Sequence, residues 1–213
     1  MDTPTSGADR LRRIRDRLRA GDLPGYAVQE RMGHALRQHH REAPASARAA
    51  AVLALFYPID GVLYLLFIQR TSPPGERHGG QVSFPGGSTD PGDRNAAATA
   101  LREAQEEVGV DPAAVELIGE LTPLYIPISN FLVNPFVGYT PRRPDFVLQP
   151  SEVQRILELP FTGFYAPAAV ESRNKTLYNG RVLEDVPHWV VAGETVWGAT
   201  AMMVSELVEL GRG

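Results

Sequence analysis

The sequence predicts an α/β protein, on three observations. Two apolar, β-rich runs at residues 49–57 and 61–69 flank the turn sequence Pro58-Ile59-Asp60-Gly61, the pattern of a hairpin. Between Asn95 and Gly109, the residues Ala97, Leu101, Ala104 and Val108 recur at four, three and four positions, the spacing of one buried helical stripe. Further β-rich runs at 115–121 and 132–139 and a final amphipathic helix at 197–210 complete the mixture.

Each element has a local reason. Residues 8–20 form a short helix with Leu11, Ile14 and Leu18 on one side and arginines elsewhere. Asp9 and Asp16 dilute its charge, so it is expected to dock on the domain or on a dimer partner rather than on an anionic membrane or nucleic acid; a homodimer is left open. A Leu23-Pro24-Gly25 break precedes a second helix over 27–41, and residues 42–49 connect that helix to the main domain. The hairpin comes next. Asn95 can cap the central helix and Gly109 can end it. Asn179-Gly180 is a two-residue hairpin signal. Residues 1–45 thus read as a helical extension and 46–213 as the main domain.

Composition narrows the function. The 213 residues suffice for one well-buried domain with an extension, and 43% hydrophobic and 22% charged content are ordinary for a globular protein. A net charge of −4 gives no case for nucleic acid, and the lack of cysteine excludes disulfides and thiolate chemistry. No leader-like apolar run or membrane-length segment is present, so a cytoplasmic location is expected. His34, His39, His40 and His188 have no ligand spacing with an acidic partner and read as structural or solvent-facing; Phe131 and Trp197 read as core.

The chemistry concentrates in residues 78–110. At about 100° per residue, Glu103, Glu106 and Glu107 fall opposite the apolar stripe, close together and away from the core. Carboxylates at these spacings repel, and the negative end of the helix dipole adds to the penalty. One account is a solvated acidic face partnered by Arg102. The other is a hard divalent cation, and the preceding loop favours it: Gly79, Gly80, Gly86 and Gly87 allow close backbone approach while Pro85 stiffens the entry. Mg²⁺ or Mn²⁺ would then be held partly by carboxylates and partly by substrate phosphates.

The run GGSTDPGDRNAAATALREAQEEVGV resembles a Nudix box, G-x5-E-x7-R-E-U-x-E-E-x-G-U with U aliphatic. Arg102, Glu103, Ala104, Glu106, Glu107, Gly109 and Val110 match its second half. The interval from Gly87 to Arg102 is one residue longer than the pattern: counting forward, Asp93 stands at the early acid, and counting back, Arg94 does. Such a stretched box, with Asp90 and Asp93 in the form GGxxDxxD, resembles that of the coenzyme A diphosphatases. Their upstream signature LLTxRSxxxRxxxGxxxFPGG is similar to LLFIQRTSPPGERHGGQVSFPGG here. Gly80, Phe84, Pro85, Gly86 and Gly87 match, Arg70 and Arg77 are displaced by one, and Phe67 replaces the threonine. The likeness extends over residues 48–211, most of the chain.

This resemblance implies an α/β/α sandwich with a mixed sheet, a Nudix hydrolase domain over 46–213, and metal-dependent cleavage of a diphosphate bond. It implies a nucleotide substrate of the coenzyme A type, giving 3′,5′-ADP and 4′-phosphopantetheine. Glu103 and Glu107 would be metal ligands, with Glu106 serving a second ion or accepting the water's proton. Arg102 would organise the carboxylates. Glu152 is a candidate general base, although Ser151 and Gln154 also fit a helix capping box in which Glu152 would only favour the dipole. Arg70, Arg77 and His78 could meet phosphates, and Gly86 and Gly87 could offer backbone contacts. Two alternatives remain: a Nudix pyrophosphatase for ADP-ribose, NADH or a dinucleotide, and a non-catalytic nucleotide sensor.

Overall fold

The structure, a computed structural model, describes residues 5–34, 42–71, 80–177 and 180–213. His39, His40, Arg77, His78, Gly79 and Asn179 lie outside these. Four helices are described: α1 (Gly7–Ala20), α2 (Tyr26–Gln29), α3 (Ala96–Val108) and α4 (Gly198–Leu210). The strands are β1 (Arg48–Ile59), β2 (Val62–Arg70), β3 (Val82–Ser83), β4 (Gly86–Ser88), β5 (Glu116–Glu120), β6 (Leu124–Ile126), β7 (Phe131–Tyr139), β8 (Val153–Pro160), β9 (Val170–Thr176), β10 (Val182–Val191) and β11 (Glu194–Trp197).

The expected hairpin is β1–β2, turning at Asp60 and Gly61, both at positive φ. β1 is the axis of a mixed sheet ordered β3-β2-β1-β7-β5. β7 runs parallel to it, β4 pairs antiparallel along its first half, β6 pairs β7, and β8 pairs β2. The near-continuous burial of β1 follows from cover on both faces. One core holds Phe56, Phe67, Phe84, Phe161 and α4; the other holds Leu53, Leu55, Ile68 and the small residues of α3. Helices on both faces of a mixed sheet make the α/β/α sandwich, with the N-terminal helix α1 added. β9, β10 and β11 form a second sheet.

The structure departs from four sequence expectations. The helix expected over 27–41 is the single turn of α2 followed by a 3-10 turn at Glu30–Met32, with Gly33 extended beyond it and residues 35–41 outside the description. Gly33 abuts the Glu30 carbonyl and Met202, where a larger residue would crowd. The final helix is buried almost all round rather than amphipathic, because α1 and α2 cover the side that the sheet does not. No helix follows Ser151: residues 153–160 are strand β8, so the capping-box reading of Glu152 fails. The buried face of α3 is also rotated from its expected stripe. Thr99, Ala100, Ala104, Glu107 and Val108 are buried, while Ala97 and Leu101 are only half-buried. The stripe model assumed that apolar side chains face inward and glutamates outward; here a glutamate goes inward.

Candidate active site

The helix α3 begins where Asn95 Oδ1 accepts a hydrogen bond from the Ala98 N–H at 2.9 Å, and it ends where Gly109 turns left-handed at φ 74°. Small residues at 99, 100 and 104 let it lie close against β1 and β4. That approach fixes the acids. The Gly86 N–H donates to Glu107 Oε2 at 2.8 Å, and a Cβ on Gly87 would stand 2.6 Å from all three terminal atoms of Glu103. Gly86, at φ 155°, has no room for a Cβ against the Ala51 carbonyl and the Val52 backbone. The glycine pair is therefore a steric requirement of the site.

The three glutamates differ in environment. Glu107 is 1% exposed, Glu103 14% and Glu106 58% by side chain, so the expectation that all three stand away from the core holds only for Glu106. Burial pushes the Glu107 carboxyl up to about 7, despite the Gly86 N–H and Arg70, which pull it down. Burial likewise raises Glu103, against the opposing hydrogen bond from Arg102.

Arg102 ties the acids together. Its Nε and Nη2 donate to the two oxygens of Asp93 at 2.9 and 3.0 Å, Nη1 donates to Glu103 Oε1 and Glu106 Oε2 at 2.9 Å each, and Nη2 reaches the Ser88 carbonyl at 3.0 Å. Both sequence readings of this arginine, an ion pair with Glu106 and a brace among carboxylates, are thus present together. The fork on Asp93 holds that carboxyl well below the usual carboxylate range. It also decides the register of the stretched box. Asp93 occupies the early acidic position while Arg94 is exposed, so the extra residue falls after the acid. Sequence counting left the two alternatives open because spacing alone cannot say which side of an insertion keeps its contacts.

Arg70, at the end of β2, places Nη1 3.1 Å from Glu107 Oε1. Glu152 is exposed on the turn entering β8, near enough for its charge to raise both Glu103 and Glu107. Its backbone is pinned: the Glu152 carbonyl accepts from the Thr71 N–H at 2.8 Å, and the Glu152 N–H donates to the Gln149 carbonyl at 3.0 Å. Gln149 in turn donates its N–H to the Glu107 carbonyl at 2.9 Å. Arg70, Gly86, Gly87, Arg102, Glu103, Glu106 and Glu107 therefore converge, and Glu152 borders them.

A cavity of about 770 Å³ opens beside Arg70, Gly86, Gly87 and Ser88. It continues between the two sheets along Ile126, Phe131, Leu183, Trp197 and Met203. Phe131 and Trp197, read from sequence as core, are instead half-buried wall residues of this cavity. Each has a cation over its ring, Arg48 at 4.0 Å on Phe131 and Lys175 at 5.3 Å on Trp197. Met32 and His34, from the segment preceding β1, also line it, which no sequence pattern signalled. His188 is buried and structural, accepting from Arg173 Nε at 2.9 Å.

A mixed sheet between helices, with an arginine-braced acidic helix against the Gly86-Gly87 pair of β4, matches the architecture of the Nudix class. The NUDIX domain profile matches residues 47–175, and the chain belongs to the Nudix family. It is 40% identical over 149 residues to the uncharacterized Nudix hydrolase NudL of Klebsiella pneumoniae strain 342, covering 67% of this chain and 72% of that one. With NudL of Photorhabdus laumondii it shares 33% identity over 144 residues, covering 68% and 75%. The Nudix hydrolase RenU of M. smegmatis has a similar fold, with a TM-score of 0.50 at 16% identity, over 77% of this chain and 85% of that one. The chain is thus a hydrolase of pyrophosphate bonds in nucleoside diphosphate derivatives, in a family that uses divalent metal ions. No helix among the described residues is long and apolar enough to cross a membrane.

The donor set fits such an ion. Among the described residues no three acidic or histidine side chains converge tightly enough to hold a metal by themselves. Glu103 and Glu107 offer hard oxygen donors whose negative charge is poorly solvated, and the lack of a side chain at Gly87 lets the Glu103 carboxylate lie against the β4 backbone. Two carboxylates with the remaining ligands drawn from substrate phosphates match the coordination habit of Mg²⁺ or Mn²⁺.

Proposed function

We propose that the chain hydrolyses the diphosphate bond of coenzyme A or its derivatives, releasing 3′,5′-ADP and 4′-phosphopantetheine. The observation that carries this reading is the cavity: Arg70 and the backbone of Gly86 and Gly87, suited to phosphates, share it with apolar walls at Ile126, Phe131, Leu183, Trp197 and Met203. A diphosphate bearing an extended, weakly polar arm suits that combination of surfaces better than one bearing a second sugar. The upstream signature and the stretched box support the same substrate.

In this reading Glu103 and Glu107 hold Mg²⁺ or Mn²⁺, which when bound neutralises the phosphate charge and acidifies a nearby water. Arg102 keeps the carboxylates in fixed rotamers through its fork on Asp93. Glu106, the exposed member, serves a second ion or accepts the water's proton. Glu152 is the candidate general base, and the pinning of its backbone to Thr71 and Gln149 supports that role. Arg70 and the backbone of Gly86 and Gly87 meet the diphosphate, and Arg77 and His78 are retained from the sequence as phosphate contacts. Residues 46–213 act as the catalytic domain, while the extension of residues 1–45 contributes Met32 and His34 to the cavity.

The test is turnover of coenzyme A, dephospho-coenzyme A, ADP-ribose and NADH by the purified chain with Mg²⁺ or Mn²⁺, with products separated by chromatography. Coenzyme A is expected to have the highest kcat/KM and to yield 3′,5′-ADP. A large preference for ADP-ribose overturns the assignment.

A further inference from the structure

Both oxygens of the buried Glu107 carboxylate are already engaged, Oε2 by the Gly86 N–H at 2.8 Å and Oε1 by Arg70 Nη1 at 3.1 Å. The amide can stay when a cation arrives, since it addresses one oxygen only. The guanidinium cannot stay so readily, because it occupies the other oxygen and carries the same sign of charge as the ion. Arg102 is held by Asp93, Ser88 and Glu106 in addition to Glu103, so it keeps its place if one contact is lost. Arg70 is the last residue of β2, its side chain is 26% exposed, and it lines the cavity beside Gly86 and Gly87.

We propose that Arg70 is an exchangeable counter-ion: it pairs with Glu107 in the metal-free chain, is displaced when a divalent ion takes that carboxylate, and swings to the substrate's diphosphate. The inference rests on the reading that Glu103 and Glu107 hold the ion. Arg70 acts as a positioning residue in the free enzyme and as a phosphate contact in the loaded one. The exchange has two consequences. Wild-type affinity for metal alone is weakened by the need to break the Arg70–Glu107 pair, and metal binding releases a phosphate ligand into the cavity, so the site is completed in a fixed order.

The test measures substrate-free Mn²⁺ binding by titration calorimetry and by the loss of free-ion EPR signal, at pH 8.5 to keep proton competition small. A charge-assisted hydrogen bond is the competitor, so Arg70→Gln is expected to tighten Mn²⁺ about tenfold. Arg70→Lys, which keeps the charge, should stay within about twofold of wild type, and Glu107→Gln should weaken binding strongly. At saturating metal, Arg70→Gln should raise KM about tenfold while lowering kcat much less. Unchanged Mn²⁺ affinity in Arg70→Gln overturns the exchange, as does weakened affinity, which would mean that Arg70 supports the ion site. Tightened Mn²⁺ binding in a chain that does not cleave coenzyme A would refute the proposed substrate and leave the exchange standing.

Discussion

Gly87→Ala separates the two demands that the Gly86-Gly87 pair of β4 places on the chain. The Cβ of alanine at 87 would stand 2.6 Å from Cδ, Oε1 and Oε2 of Glu103. Ordinary contact begins at roughly 3.5 Å, so the carboxylate must retreat by about 1 Å, breaking its 2.9 Å contact with Arg102. The clash meets only the far end of a flexible side chain, and residue 87 has no positive φ to preserve, so stability should change by less than about 1 kcal/mol. Under the proposed role of Glu103 as a metal ligand, a displacement of about 1 Å at its carboxylate should lower kcat/KM by about a hundredfold.

The neighbouring change gives the contrast. In Gly86→Ala the new Cβ meets backbone of Ala51 and Val52, which cannot swing aside, and a destabilisation of about 3 kcal/mol is expected. Urea denaturation and steady-state kinetics on both variants decide the matter. Activity of Gly87→Ala within threefold of wild type refutes the placement of Glu103, and a stability loss as large as that of Gly86→Ala refutes the claim that only a side-chain tip is displaced.

The buried charged groups give three further expectations. Glu107 titrates at about 7 when folded, above the ordinary 4.5, so its protonated form favours the metal-free fold. That stability is complete below about pH 4.5 and is lost as pH rises through 7, about 3 kcal/mol in all. The difference in thermal stability between wild type and Glu107→Gln, measured without metal from pH 4.5 to 8, should therefore widen toward alkaline pH in favour of the variant; a pH-independent difference counts against the burial account. Asp93→Asn removes the charge under the Arg102 fork, and kcat should fall about tenfold with little change in KM, read from steady-state kinetics. Glu206, fully buried, accepts from Gln29 Nε2 at 2.7 Å and Thr122 Oγ1 at 2.7 Å, so Glu206→Ala should cost about 2–4 kcal/mol in urea denaturation by orphaning donors that tie α2 and the β5–β6 connection to α4.

Local rules decide the parts of the fold that were legible in the sequence. The caps of α3, the Asp60-Gly61 turn and the hairpin pairing of β1 with β2 depend on residues near each other, and they stand as read. The facing of α3 did not, because it is set by β4: only with Gly86 and Gly87 brought against the helix does an inward glutamate find an N–H to accept from. The cavity was illegible for the same reason. Met32, Phe131 and Trp197 lie far apart in the chain, and no period links them. A half-buried aromatic reads the same whether its open face meets solvent, a partner or a cavity. The burial of α4 likewise depends on α1 and α2, whose docking no pattern within residues 197–210 records.

Placing two carboxylates against a sheet is unfavourable in itself, and the surrounding residues show how the fold tolerates it. Alanines and a threonine on α3 shorten the helix–sheet distance, glycines in β4 remove the side chains that would fill the gap, and two arginines supply positive charge. Apolar residues at positions 103 and 107 would satisfy the same helix–sheet contact without any of these devices. Packing alone therefore does not account for the raised carboxyls. In the proposed exchange, a cation that replaces Arg70 at Glu107 would relieve the same penalty that the arginine relieves in its absence, and would do so with a ligand that the substrate can share.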